Sequence, residues 1–104
     1  MSKRKRTLLR AEDRAQQKLA RDLSKLALLA PGGSPERALP IVSPAEVEVQ
    51  ARATRCPICQ GELQVEEHTA ETLAGLRVRV ARVVCAVCRR KRAIYFRLAG
   101  AALN

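Results

Sequence analysis

Leu8, Ala11, Ala15, Leu19, Leu23, Leu26 and Ala30 recur at steps of three and four residues and form one apolar stripe. That period predicts an amphipathic helix over residues 7–30. Arg10, Arg14, Lys18, Arg21 and Lys25 lie mainly outside the stripe, and Leu28 and Leu29 widen its apolar end. Pro31-Gly32-Gly33 then stops the helix. Residues 1–6, Met-Ser-Lys-Arg-Lys-Arg, have no apolar pattern after the first position and are expected to be a disordered basic tail.

Pro31, Pro35, Pro40 and Pro44 make residues 31–46 a linker in which no helix can run, although Leu39, Ile41 and Val42 could dock on a neighbour. The period then drops to two. Val47 to Ala53 alternates and reads as a strand, as does Glu62 to Glu66 with Leu63 and Val65 inward. Glu67 to Gly75 reads as a loop or a single helical turn. Leu76 to Val80 alternates with Val78 and Val80 on one face and Arg77 and Arg79 on the other. Val83 and Val84 break that phase, so a bulge is expected near Ala81–Arg82. Ile94 to Leu98 forms a last strand with Ile94, Phe96 and Leu98 on one side, and residues 100–104 form a tail.

Between these strands stand the four cysteines, as Cys56-Pro57-Ile58-Cys59 and Cys85-Ala86-Val87-Cys88. A two-residue spacer lets both sulfurs of a pair reach one metal, and two such pairs complete a tetrahedron of thiolates. The expected ligands are therefore Cys56, Cys59, Cys85 and Cys88, around one structural zinc ion. Tetrahedral four-sulfur ligation suits iron as well, and ligand type alone does not separate the two. Free or redox-active thiols are the alternative, but Cys-Pro-x-Cys redox sites need a strand–helix context that is missing around Cys56.

The order is cysteine turn, strand, loop, strand, cysteine turn, strand. In this order the chain resembles the zinc-ribbon superfamily, in particular small bacterial ribbons that open Cys-Pro-x-Cys and continue into a Gly-Glu-Leu strand. The matching residues are Cys56-Pro57-Ile58-Cys59-Gln60-Gly61-Glu62-Leu63 and Val83-Val84-Cys85-Ala86-Val87-Cys88. The resemblance covers roughly residues 50–98. Ribbons usually place glycine directly after the second cysteine of a pair, where this chain has Gln60 and Arg89. The resemblance implies a four-cysteine zinc ribbon of short antiparallel strands over residues 47–99 and leaves the N-terminal helix unexplained; helix and ribbon together make a small α+β, metal-stapled protein. The resemblance also implies the company of transcription and translation components, by analogy alone.

Composition strengthens the case for a staple. The chain has 104 residues, and Tyr95 and Phe96 are its only aromatics. Much of its apolar content is Ala and Val, so a module of this size is marginal on its own core. The net charge is +10. Residues 1–30 carry nine basic and three acidic groups, residues 31–50 one and three, and residues 51–104 ten and four. Two basic blocks thus flank a near-neutral linker, a distribution that favours nucleic acid, an acidic protein surface or anionic lipid. No stretch approaches a membrane span. Paired cysteines with no secretion signal point to a reducing, cytoplasmic setting.

Four thiolates leave a metal no open position for water, and neither a phosphate-binding glycine loop nor a nucleophile–base arrangement is present, so no catalytic residue and no enzyme is expected. His68, beside Glu66, Glu67 and Glu71, reads as a solvated loop residue. Arg89-Arg90-Lys91-Arg92 is the foremost candidate surface, with Arg77, Arg79 and Arg97 as companions on the ribbon. Arginine suits phosphate because its planar fork binds bidentately, and the shortage of aromatics favours backbone contact over base readout. The sequence therefore predicts a non-enzymatic module binding nucleic acid or a nucleic-acid-containing assembly. The alternative is a protein-interaction adaptor that docks or self-associates through Leu19, Leu23 and Leu26. The helix stripe is expected to pack on the cysteine module or on a copy of itself, with partner docking or a membrane surface as other uses.

Overall fold

The computed structural model describes residues 3–99, with side chains from Arg6 onward. It is an α+β protein: a long N-terminal helix α1 (Lys3–Leu29), a strand β1 (Leu39–Ile41), a short helix α2 (Glu46–Ala53), and strands β2 (Leu63–Leu73), β3 (Leu76–Cys85) and β4 (Lys91–Leu98). The strands form one mixed sheet in the order β1-β4-β3-β2. The pairs β2–β3 and β3–β4 are antiparallel, whereas β1 runs parallel to β4 with Leu39 beside Phe96 and Ile41 beside Leu98. The sheet thus departs from the purely antiparallel ribbon that the sequence predicts; its parallel edge strand comes from the stretch read as linker.

The largest departure is residues 47–53. They form α2 and not a strand. Over seven residues the spacing of Val47 and Ala51 fits a helical face as well as alternation fits a strand, and these two are the residues α2 buries. Ser43-Pro44-Ala45-Glu46 decides the matter locally. The Glu46 carboxylate accepts the backbone N–H of Ser43 at 2.8 Å and that of Val42, and the Ala45 N–H donates to the Ser43 hydroxyl at 3.3 Å. This Ser-x-x-Glu arrangement forms the carboxylate half of a capping box in the turn that leads into α2, a helix-start signal present in the sequence.

α2 lies on one face of the sheet. Its Val47 and Ala51 join Ile41, Leu63, Ala81, Val83, Ile94 and Phe96 in a single buried cluster that also contains Cys56 and Cys85. Register explains the broken alternation in β3. Ala81 opposes Ile94 on the core face, while Val80 opposes Tyr95 on the other side. The strand carries buried side chains on both faces, Val78 and Val80 on one, Ala81, Val83 and Cys85 on the other. No bulge is needed at Ala81–Arg82; the bulge lies across the ladder in β2, between Val65 and Glu67. β2 also runs straight through the expected loop, so the hairpin turns only at Ala74-Gly75.

α1 begins at Lys3, four residues before the expected start, since Lys and Arg are good helix formers. Residues 1–2 of the expected tail, and 100–104, lie outside the described residues. At 27 residues the helix is about 40 Å long. Every side chain from Arg6 to Leu19 is exposed. Only Ala20, Leu23 and Ala27 turn toward the body among the described residues, and of these Leu23 alone belongs to the predicted stripe. Pro31-Gly32-Gly33 closes the helix and docks the chain on the sheet: the Tyr95 N–H donates to the Gly32 carbonyl at 2.8 Å. No helix among the described residues is long and apolar enough to cross a membrane.

Candidate metal centre and basic surfaces

Each cysteine pair sits in the same local turn. The Gln60 N–H donates to the Cys56 carbonyl (2.9 Å), and the Cys56 N–H to the Gly61 carbonyl (3.0 Å). In the second turn the Arg89 N–H donates to the Cys85 carbonyl (3.0 Å), and the Cys85 N–H to the Arg90 carbonyl (2.9 Å). Both turns need a left-handed residue after the second cysteine. Gln60 (φ 62°) and Arg89 (φ 65°) adopt it without being glycine. Gly61 serves a different purpose: a Cβ there would lie 2.8 Å from a Val87 methyl and 2.9 Å from the Cys85 sulfur. The first turn therefore packs directly against the second, and the Ala86 N–H donates to the Glu62 carbonyl to link them.

The two turns bring the four sulfurs within 4.8 Å of one another. Cys56 and Cys88 are 3.7 Å apart, and Cys59 and Cys85 3.3 Å. A metal held tetrahedrally by thiolates at ~2.3 Å separates its sulfurs by about 3.8 Å, so the donor set fits a single ion. All four are free cysteines, Cys56 and Cys85 buried, Cys88 half-buried and Cys59 exposed. The Val87 and Cys88 N–H groups both point at the Cys85 sulfur at 3.4 Å. The Cys88 N–H, with that of Val87, holds the Cys85 thiol below its ordinary pKa. The Arg90 backbone N–H and side chain bring the Cys88 thiol down to about 6. Hydrogen bonding to Cys85 pushes the Cys59 thiol up to about 11. The second turn thus favours anionic sulfur, the form that ligates metal.

The basic candidates do not form one patch. Arg89-Arg90-Lys91-Arg92 is divided by the geometry of the second turn. Arg89 and Arg90 are exposed; Lys91 pairs with Glu66 at 3.6 Å. Arg92 is half-buried, and burial lowers its pKa from arginine's ordinary value against the attraction of Cys56. Arg77, Arg79 and Arg97 line a separate groove at the other end of the sheet, together with Glu71. Arg77 lies eight residue steps along β3 from Cys85, about 26 Å. Arg82, not singled out from the sequence, bonds the Glu71 carboxylate at 2.7 Å.

His68 is not a solvated loop residue. It stands mid-strand in β2 opposite Ala81, half-buried, with its Nε2 enclosed and without a hydrogen-bond partner. On α1, Leu19 and Leu26 remain 59% and 62% exposed, whereas Leu23 is half-buried, so the three predicted docking leucines do not share one environment.

Compared with known proteins, the chain matches no family model, no curated protein and no solved structure.

Proposed function

We propose that Cys56, Cys59, Cys85 and Cys88 hold one structural zinc ion, and that the protein is a zinc-ribbon-like, non-enzymatic module contacting nucleic acid or a nucleic-acid-containing assembly. The observation that carries the metal reading is the pair of matching turns that face four sulfurs toward one point. Zinc supplies cross-linking there and no reactive position, because four thiolates complete its tetrahedron. Support for a polyanionic partner comes from the +10 charge and from the exposed Arg89 and Arg90 beside the metal centre. The same chemistry suits a reducing compartment, where thiols persist.

Metal analysis of the purified protein, followed by nucleic-acid titration at low and moderate salt, tests both parts. One zinc per chain and binding that weakens steeply with salt is the expected result. Iron in place of zinc would change the metal and leave the fold argument standing. No metal would defeat the first part, and no binding at either salt the second.

The exposure of Leu19 and Leu26 supports a second reading, an adaptor that docks through α1. Concentration-dependent self-association without nucleic-acid binding, measured by sedimentation equilibrium, favours it.

A further inference from the structure

We propose that single-stranded nucleic acid binds along a track formed jointly by the basic side of α1 and the second cysteine turn, with Arg21, Lys25 and Arg90 as its centre. The proposal rests on the nucleic-acid reading above and gives that reading a location. Arg21 and Lys25 belong to the N-terminal basic block and Arg90 to the C-terminal one; they are 65 or more residues apart in sequence. The fold brings them to one groove of about 440 Å³ between α1 and the turn, lined also by Gln17, Ala20 and Ser24.

A second groove of about 440 Å³ adjoins it through Ser24, Lys25 and Arg90. Its floor is apolar, with Ala27, Leu28, Ile58 and Leu63; of the cations on its rim, Lys91 is paired with Glu66 and Arg92 is half-buried, which leaves Lys25 and Arg90 as its open charges. No carboxylate lines either groove among the described residues. The groove of Arg77, Arg79 and Arg97, by contrast, includes Glu71. Focused positive potential without an internal acid is the condition for drawing in a phosphate backbone.

The track extends outward along α1. Arg10, Arg14, Lys18, Arg21 and Lys25 follow one another at steps of four, four, three and four, which places them on one side of the helix. All five are exposed, and they span about 22 Å of helix axis. A strand lying on them can set its phosphates against successive guanidinium and ammonium groups. At the end of the track the apolar floor offers an unstacked base a surface out of water. A single strand can present such a base, and a duplex cannot without opening.

The test uses the full-length, metal-loaded chain and a short labelled oligothymidylate, alone and annealed to its complement, from about 50 to about 200 mM salt. Each phosphate contact on a single strand contributes about 0.7 to the log–log salt slope. Arg21→Gln/Lys25→Gln, which changes no residue that hydrogen-bonds a sulfur and keeps helix propensity, is expected to flatten the slope by about 1.4. Adding Arg90→Gln is expected to bring the loss to about 2, with affinity at low salt down by about tenfold or more. Arg77→Gln/Arg79→Gln/Arg97→Gln is the control and is expected to leave both unchanged.

Binding lost in the control but kept in the α1 variants would overturn the track while leaving the nucleic-acid reading intact. Equal or tighter binding of the duplex would overturn the single-strand assignment. Absence of nucleic-acid binding, with salt-sensitive binding to polyglutamate, would overturn the track and the reading together in favour of an acidic protein partner.

Discussion

Gln60 and Arg89 occupy equivalent left-handed positions in the two cysteine turns, at φ 62° and 65°, each donating its N–H to the carbonyl of the first cysteine of its pair. Neither is glycine, and the left-handed conformation costs other residues about 1–2 kcal/mol. The turns hold that conformation because facing sulfurs require it.

Replacing the strained residue should therefore stabilise the protein. Gln60→Gly removes the left-handed penalty but loosens the unfolded chain, an opposing effect of about 0.5–1 kcal/mol. The expected net gain is about 1 kcal/mol in chemical unfolding, with metal stoichiometry unchanged. A loss of stability would show that the Gln60 side chain contributes something its backbone does not reveal.

Gly61 is expected to tolerate no side chain. Gly61→Ala places a methyl group against Val87 and the Cys85 sulfur, an overpacking cost of about 1–3 kcal/mol, and should weaken metal retention against a chelator. Cys59→Ser should go further. It removes one ligand from the proposed metal site, where binding of a structural ion would supply on the order of 10 kcal/mol of folding energy, so the variant should lose the ion and its cooperative thermal transition. Retention of both would refute the metal staple.

The Arg82–Glu71 pair sets a pH dependence. The Arg82 guanidinium, with the Thr69 hydroxyl, holds the Glu71 carboxyl below its ordinary value of 4.5. A depressed folded-state pKa contributes stability above the unfolded value and loses it as pH falls through the folded one. Wild type should therefore melt above Glu71→Gln at pH 7; the difference should begin to shrink as pH falls through the ordinary carboxylate range and disappear once pH passes below the depressed folded value. A difference that persists in acid would mean that the residue acts by packing.

His68 holds an enclosed Nε2 with no partner, and an unsatisfied buried polar atom costs about 1–3 kcal/mol. His68→Leu should raise stability by about 1 kcal/mol, whereas a loss of stability would show that the imidazole has a bound partner in solution.

Local patterns in the sequence determined a good deal. The spacing of the cysteine pairs was enough to place Cys56, Cys59, Cys85 and Cys88 together, because a two-residue spacer leaves few turn geometries open. The apolar repeat marked α1, and alternation marked most of β3 and β4. Where a segment fits two periods, local pattern fails. Val47 to Ala53 is too short for alternation to exclude a helix, and the capping contacts of Glu46 decided it. Pairings between distant segments were the work of tertiary structure alone. They put β1 beside β4, carried Glu66 to Lys91 and Glu71 to Arg82, and so divided one apparent basic surface into neutralised and open parts. They also set Arg21 and Lys25 beside Arg90. Charge can be counted along a chain, but which charges meet depends on how strands register and where a helix is anchored.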